Sequence, residues 1–242
     1  MKYFFLNAYF NAVEKHLADE TDFLRMINSE NESQAYNVLQ DTNYAKWALQ
    51  NSPIEKVFEE EKAAFCREIS RMGFSFLAGL FSLKADITNL RIILKKDIFG
   101  LEAGNLIGWA KNEKDLRCEF EQEIEQARKE KNPAKLDDYL KQIYLERLEK
   151  YAKQEKAVYN FVKEYRQLDK DLTGQEKHYA LKKLEDEFIA EHTRQNEGLS
   201  PVFAFFMKKW QIEKKIKAVI SGKQVNFPAQ KIKNIIENLQ AL

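Results

Sequence analysis

The sequence has no long hydrophobic run. No stretch approaches the roughly 18 consecutive apolar residues of a membrane-spanning helix, so any work at a membrane is expected to go through protein partners. The opening MKYFFLNAYF is apolar and aromatic, but it has no longer basic segment and no small-residue cleavage site. Asn7 and Asn11 also interrupt it, and it reads as a first buried element rather than a signal peptide.

Proline and glycine are scarce, at 4 and 8 of 242 residues. Pro53 follows Asn51-Ser52, Pro133 follows Asn132, Pro201 follows Ser200 and Pro228 follows Phe227. A proline at the first helical position loses no hydrogen bond, and Ser52, Asn132 and Ser200 are good caps. No proline breaks an apolar periodic run, and no alternating β-branched stretch bounded by turn pairs occurs. The expectation is an all-α protein.

There are two cysteines, Cys66 and Cys118, too few for a disulfide framework or a zinc site. Both lie in helical context and read as reduced thiols at buried or seam positions. The formal net charge is +1, so no global field selects nucleic acid. Chemical constellations are missing too. A phosphate-binding loop needs G-x-x-x-x-G-K-[ST], and the only Gly-Lys, Gly222-Lys223, lacks the earlier glycine and is followed by Gln224. It reads as a helix end. The carboxylate-x-x-His pairs of metal-binding bundles are missing, since Val13, Gln175 and Ile189 precede His16, His178 and His192 by three. No nucleophile is paired with a base at recognisable spacing. The carboxylates of FEEEK and LEDEF read as solvated helix faces. A non-catalytic protein without cofactor or metal is expected.

What is present is amphipathic helix. Apolar spacing predicts helices over about 9–18, 21–29, 31–40, Pro53–Met72 and 74–97, and a short one after Gly100. Residues 112–195 are strongly charged around narrow apolar stripes, Leu140, Ile143, Tyr144, Leu148 and Tyr151 in one and Tyr159, Val162 and Tyr165 in another. They suggest a long charged helical hairpin. The segments are therefore 1–110, 111–199 and 200–242. Lys95-Lys96, Lys208-Lys209 and Lys214, Lys215 and Lys217 read as polar helix faces, some complementing a helix dipole. Phe203, Phe206 and Trp210 read as core, and Phe205 as facing away from them toward an interface.

The segments FSLKADITNLRIILKKDIFGL (81–101) and PVFAFFMKKWQIEKKIKAVISGKQVNFPAQKI (from 201) superpose without a gap at an offset of 126 residues. Leu77 meets Phe203, Leu80 meets Phe206, Leu90 meets Ile216, Ile93 meets Val219 and Leu94 meets Ile220. Beyond the turn, Leu101 meets Phe227, Ala103 meets Ala229 and Leu106 meets Ile232. This order suggests a duplicated helical unit.

The order of motifs resembles the rotary-ATPase component called C in archaeal-type and bacterial V-type enzymes and d in eukaryotic V-ATPases. The resemblance rests on Asp86, Asn89, Leu90, Arg91, Ile93, Leu94, Lys96, Gly100 and Leu101. It extends to Phe10, Ala12, Val13 and Leu17, to Asp22, Phe23, Met26 and Ile27, and to Leu39, Thr42 and Tyr44. Ile216, Val219, Ile220, Gly222, Lys223, Phe227 and Pro228 match the family's last element. Members usually carry three lobes, against two copies here, and Trp210-Gln211-Ile212-Glu213 stands where paired glutamates are common. The resemblance implies a shortened, multi-lobed helical subunit without an active site, cytoplasmic and peripheral to the membrane. It would link the central stalk subunits to the membrane ring subunits and transmit torque for ion transport. In it, Asp86, Asn89 and Arg91 would hold their helix against its neighbours. The alternative is an unrelated helical adaptor that binds partners through the charged hairpin.

Overall fold

A computed structural model describes residues 3–48, 53–101, 104–130, 132–193, 195 and 197–239. Ser52, expected to cap a helix, and Ala103, expected in the repeat, lie outside the described residues. The fold is all-α. Twelve α-helices are described: α1 (Phe4–Glu14), α2 (Glu20–Asn28), α3 (Glu32–Asn37), α4 (Ile54–Arg71), α5 (Ser75–Phe99), α6 (Glu113–Glu119), α7 (Glu121–Glu130), α8 (Pro133–Ala152), α9 (Lys156–Asp171), α10 (Gly174–His192), α11 (Ser200–Gln224) and α12 (Ala229–Glu237). A 3₁₀ turn, Val38–Asp41, follows α3.

Two compact units are formed. One consists of Met1–Glu61 with Lys153–Leu242, the other of Lys62–Ala152. These divisions differ from the expected 1–110, 111–199 and 200–242. The charged stretch is shared out: α6, α7 and α8 belong to the second unit, while α9 and α10 pack on each other within the first.

In the first unit, α11 is the central element, with α1, α2, α3, α9, α10 and α12 against it. Its sequence is apolar nearly all round at its first turns, and Val202 to Met207 are all buried. Such a helix cannot present a solvated face and must be surrounded. The expectation for Phe205 is corrected here. It is buried, with its ring stacked on Phe10 at 4.7 Å, because α1 covers the face opposite the one that Phe203 packs against Phe161 and Phe188. α1 begins earlier than expected and buries Leu6, Asn7 and Phe10, leaving Phe4 and Phe5 exposed. α2 starts at a reciprocal cap between Asp19 and Asp22, and Asn31 caps α3 by accepting the Gln34 N–H.

The second unit is built on α5 and α8. Leu90, Ile93 and Leu94 pack with Leu116, Phe120, Ile124, Leu136, Leu140 and Ile143 in one core. Arg147 of α8 lies over the Phe120 ring and donates to Glu123. Cys118 is exposed rather than at a seam, because Leu116 and Phe120 take the inward positions of that turn; Cys66 is half-buried.

Candidate functional site

The residues that carry the resemblance tie segments of chain together. The Thr42 hydroxyl donates to the Leu39 carbonyl at 2.8 Å and accepts the Tyr44 N–H at 3.2 Å, which closes the turn after the 3₁₀ segment and directs Tyr44 into the core. In the second unit, Asn89 is fully buried. Its amide oxygen accepts the Ile107 N–H at 2.7 Å, and its NH₂ donates to the carbonyls of Ile107 and Lys111. Asp86, one turn earlier, accepts the Lys111 N–H at 2.9 Å. Burial pushes the Asp86 carboxyl up, against the opposing pull of the Lys111 N–H and ammonium. Together the two side chains supply the hydrogen bonds that a non-helical loop lacks. Arg91 donates to Asp137 of α8 from a half-exposed position. Of the three, Arg91 reaches a neighbouring helix, whereas Asp86 and Asn89 bond loop backbone.

Gly100 ends α5 in the left-handed conformation, φ +64°, with its N–H on the Lys96 carbonyl. Gly222 sits where α12 crosses α11; a Cβ there would lie 2.8 Å from Cγ1 of Ile232. Lys223 donates to the carbonyls of Ile27 at 2.6 Å and Ser29 at 2.5 Å, at the end of α2. It satisfies the orphan carbonyls of a helix C-terminus with a favourable charge. Gly222-Lys223 therefore serves packing and capping.

A second feature was not expected from the sequence. Lys209 is fully buried in the first unit, with its Nζ 2.7 Å from Glu61 and 3.1 Å from Glu213, and it donates to the Tyr44 hydroxyl at 3.3 Å. Glu61 and Glu213 are also buried. Burial works against the ammonium, but Glu61, Tyr44 and Glu213 outweigh it and hold its pKa well above the ordinary lysine value. Burial raises the Tyr44 phenol as well. A buried ammonium is tolerated only where paired anions replace its hydration. The sequence signal was there in Lys209 and Glu213, one helical turn apart inside an apolar block. The third partner, Glu61, lies in another helix far along the chain.

The first unit also carries a groove. A cavity of about 500 Å³ opens between α2, α10, α11 and α12, with Phe23, Leu24, Ile27, Ile212 and Ile236 among its walls. Lys215 of α11 enters it over the Phe23 ring, Nζ to centroid 5.8 Å. A wider cleft of about 800 Å³ continues it along α1 past Ala18, Asp19, Ile189 and Lys208.

Among the described residues no group of three or more His, Cys, Asp or Glu side chains could hold a metal ion, and no helix is long and apolar enough to cross a membrane. Comparison of the chain with protein-family models, with curated proteins and with solved structures finds no match.

Proposed function

We propose that the chain is a non-catalytic coupling component of a V/A-type rotary ATPase, a shortened relative of the C and d proteins of these enzymes. It joins the central stalk subunits to the membrane ring subunits and transmits torque during ATP-coupled ion transport. In this role it is peripheral to the membrane, on the cytoplasmic face, and holds there through its protein partners.

The observation that carries the reading is the agreement of two distant helices. α5 and α11 are each 25 residues long. At the 126-residue offset every buried position of α5 except Asn89 falls on a buried position of α11. Each helix is followed by a left-handed residue in register, Gly100 at φ +64° and Asn226 at φ +56°. A shared stop of this kind in a shared register supports duplication of a helical lobe, the architecture that the motif resemblance implies. The ties made by Thr42, Asp86, Asn89 and Lys223 favour it too. A part that transmits force needs segments fixed by buried hydrogen bonds, since closely packed interiors pass on displacement without yielding.

The test is purification of the tagged chain from its native membranes in mild detergent, followed by mass spectrometry of what accompanies it. Recovery of the nucleotide-hydrolysing head, stalk and ring subunits together is expected. Recovery of the chain without any of them, from membranes that hold an intact V/A-type complex, would sink the proposal.

A further inference from the structure

The groove of the first unit has a composition that neither folding nor the proposed coupling role requires. Its walls carry apolar residues of α2, α11 and α12 beside charged ones, Glu20 on α2, Lys208 and Lys215 on α11, and Lys233 and Glu237 on α12, and Leu24 on its rim is 45% exposed. Folding cores close such surfaces. Its volume of about 500 Å³ falls within the roughly 300–1,000 Å³ of small-molecule sites, which are mostly apolar with a few placed polar groups.

Its cations are unequally satisfied. Lys208 is paired with Glu14, and Lys182, close by on α10, with Asp186. Asp19 is occupied in the cap of α2, and Gln211 donates to Asp186 at 3.2 Å. Lys215 is different. Its ammonium is half-buried over an aromatic ring, and among the described residues no carboxylate lies within ion-pair distance of it. Burial, followed by the nearby charge of Lys182, pushes its pKa down, with Asp186 and Glu20 only partly opposing. The α12 wall adds Lys233 and Glu237. An ammonium withdrawn from water without a partner costs free energy that an anion brought in by a ligand would recover.

We propose that this groove binds a small anionic amphiphile, a compound with one carboxylate or comparable acidic head on an apolar body. The head pairs with Lys215, and the body lies against Phe23, Ile27, Ile212 and Ile236. The groove shares Ile27 with the Lys223 tie, but the proposal does not rest on the coupling role.

Decanoate is the probe, with decanol as the uncharged control, titrated into the full chain by isothermal calorimetry. Saturable binding of one decanoate per chain is expected, with decanol about tenfold or more weaker, the loss of one charge-assisted contact. Lys215→Ala is expected to weaken decanoate by a similar factor and leave decanol unchanged. Leu24→Asp changes an exposed rim position, so it reports even if the lysine variant does not fold, and it should weaken decanoate by charge repulsion. Absence of saturable decanoate binding overturns the proposal, as does equal binding of decanoate and decanol. Decanoate binding unaltered in Leu24→Asp, or in a folded Lys215→Ala, overturns it as well. If only an acidic helical peptide, and not decanoate, saturates the groove, the site is a protein-docking surface and the amphiphile reading is wrong.

Discussion

α5 and α11 share length, apolar register and a left-handed stop, but they use their buried polar residues in opposite ways. On α5, Asp86 and Asn89 reach out to backbone and hold the irregular stretch around Ile107 and Lys111. On α11, the positions in the same register are Ile212 and Lys215, and the buried polar residues include Lys209 and Glu213, which form one cluster with Glu61 and Tyr44. α5 satisfies a loop, and α11 closes a charge cluster. The next segment differs accordingly. After α11 a regular helix, α12, packs its Ile232 against Gly222, whereas after α5 the chain is irregular over 104–112 and needs side chains to take up its backbone groups. A shared apolar register thus accompanies a shared run and stop, and the polar residues on each helix decide what it holds.

The most damaging change to this pairing removes the cation from α11. Lys209→Met leaves Glu61 and Glu213 buried without their counter-ion, which costs about 3–5 kcal/mol for a broken buried pair. Chemical denaturation should show that loss, and Lys209→Met with Glu61→Gln and Glu213→Gln should recover a large part of it. The pH dependence has a definite sign. A lysine pKa raised on folding adds stability that is fully present below the ordinary lysine value and lost as pH rises through the raised one. The lysine's own contribution to the gap between wild type and Lys209→Met should therefore narrow in strong alkali, while on the acid side the gap should narrow as the stranded carboxylates take up protons. A loss below about 1 kcal/mol would mean that the cluster is not held as an ion pair.

The corresponding change on α5 is Asn89→Leu. It leaves the Ile107 N–H without its acceptor and takes the Asn89 donor from the Lys111 carbonyl, while the Ile107 carbonyl keeps the Ala110 N–H, at about 1–3 kcal/mol per stranded group when it stays buried. The loop can relax toward water, so a total of about 2–3 kcal/mol is expected. Hydrogen exchange distinguishes the two copies. The Ile107 amide should lose protection selectively, while amides of the first unit keep theirs. Unchanged protection at Ile107 would show that the loop does not depend on Asn89.

How much of this was legible beforehand depends on whether the determinant is local. The all-α class followed from prolines placed at helix starts and the lack of alternating runs, and α4 and α5 lie within two residues of the expected spans at each end. That Asp86 and Asn89 must find partners was readable, because they are polar residues inside an apolar stripe, but not that those partners are loop backbone groups rather than a neighbouring helix. Among the described residues, 104–112 form no helix where a short one was expected after Gly100; Gly104, at φ +91°, and Gly108 favour an open loop that Asn89 and Asp86 then fix. Lys208 and Lys209 looked alike in sequence, yet one reaches Glu14 near the surface and the other is sealed in the core. The difference lies in Glu61 and Tyr44, which no spacing rule connects to α11. For the same reason the groove could not be foreseen, since its walls come from four separate helices.

A smaller effect is expected at the crossing of α11 and α12. Gly222→Ala puts a methyl 2.8 Å from Cγ1 and 3.0 Å from Cδ1 of Ile232. The nearer of these atoms lies close to the backbone and cannot simply swing away, so overpacking of about 1–3 kcal/mol is expected. Ile232→Val, which removes the Cδ1 methyl, should cost less in the Gly222→Ala background than alone. Additive losses in that double-mutant cycle would remove the close approach as the reason for glycine here.

The smallest effect compares the two stops directly. Gly100 takes its left-handed φ without a Cβ, whereas Asn226 carries one at φ +56° and closes its turn with the Phe227 N–H on the Gly222 carbonyl at 2.8 Å. If the two ends are the same device, they should respond in opposite directions. Gly100→Ala should cost about 1 kcal/mol, the penalty of an L-residue in this region. Asn226→Gly should be neutral or should stabilise by a few tenths of a kcal/mol, since asparagine is already the best tolerated alternative there and glycine adds entropy to the unfolded chain. Thermal unfolding of both variants checks the pair. A clear loss of stability in Asn226→Gly would mean that the asparagine side chain, and not only the backbone geometry, terminates α11, and the two stops would then be convergent rather than copied.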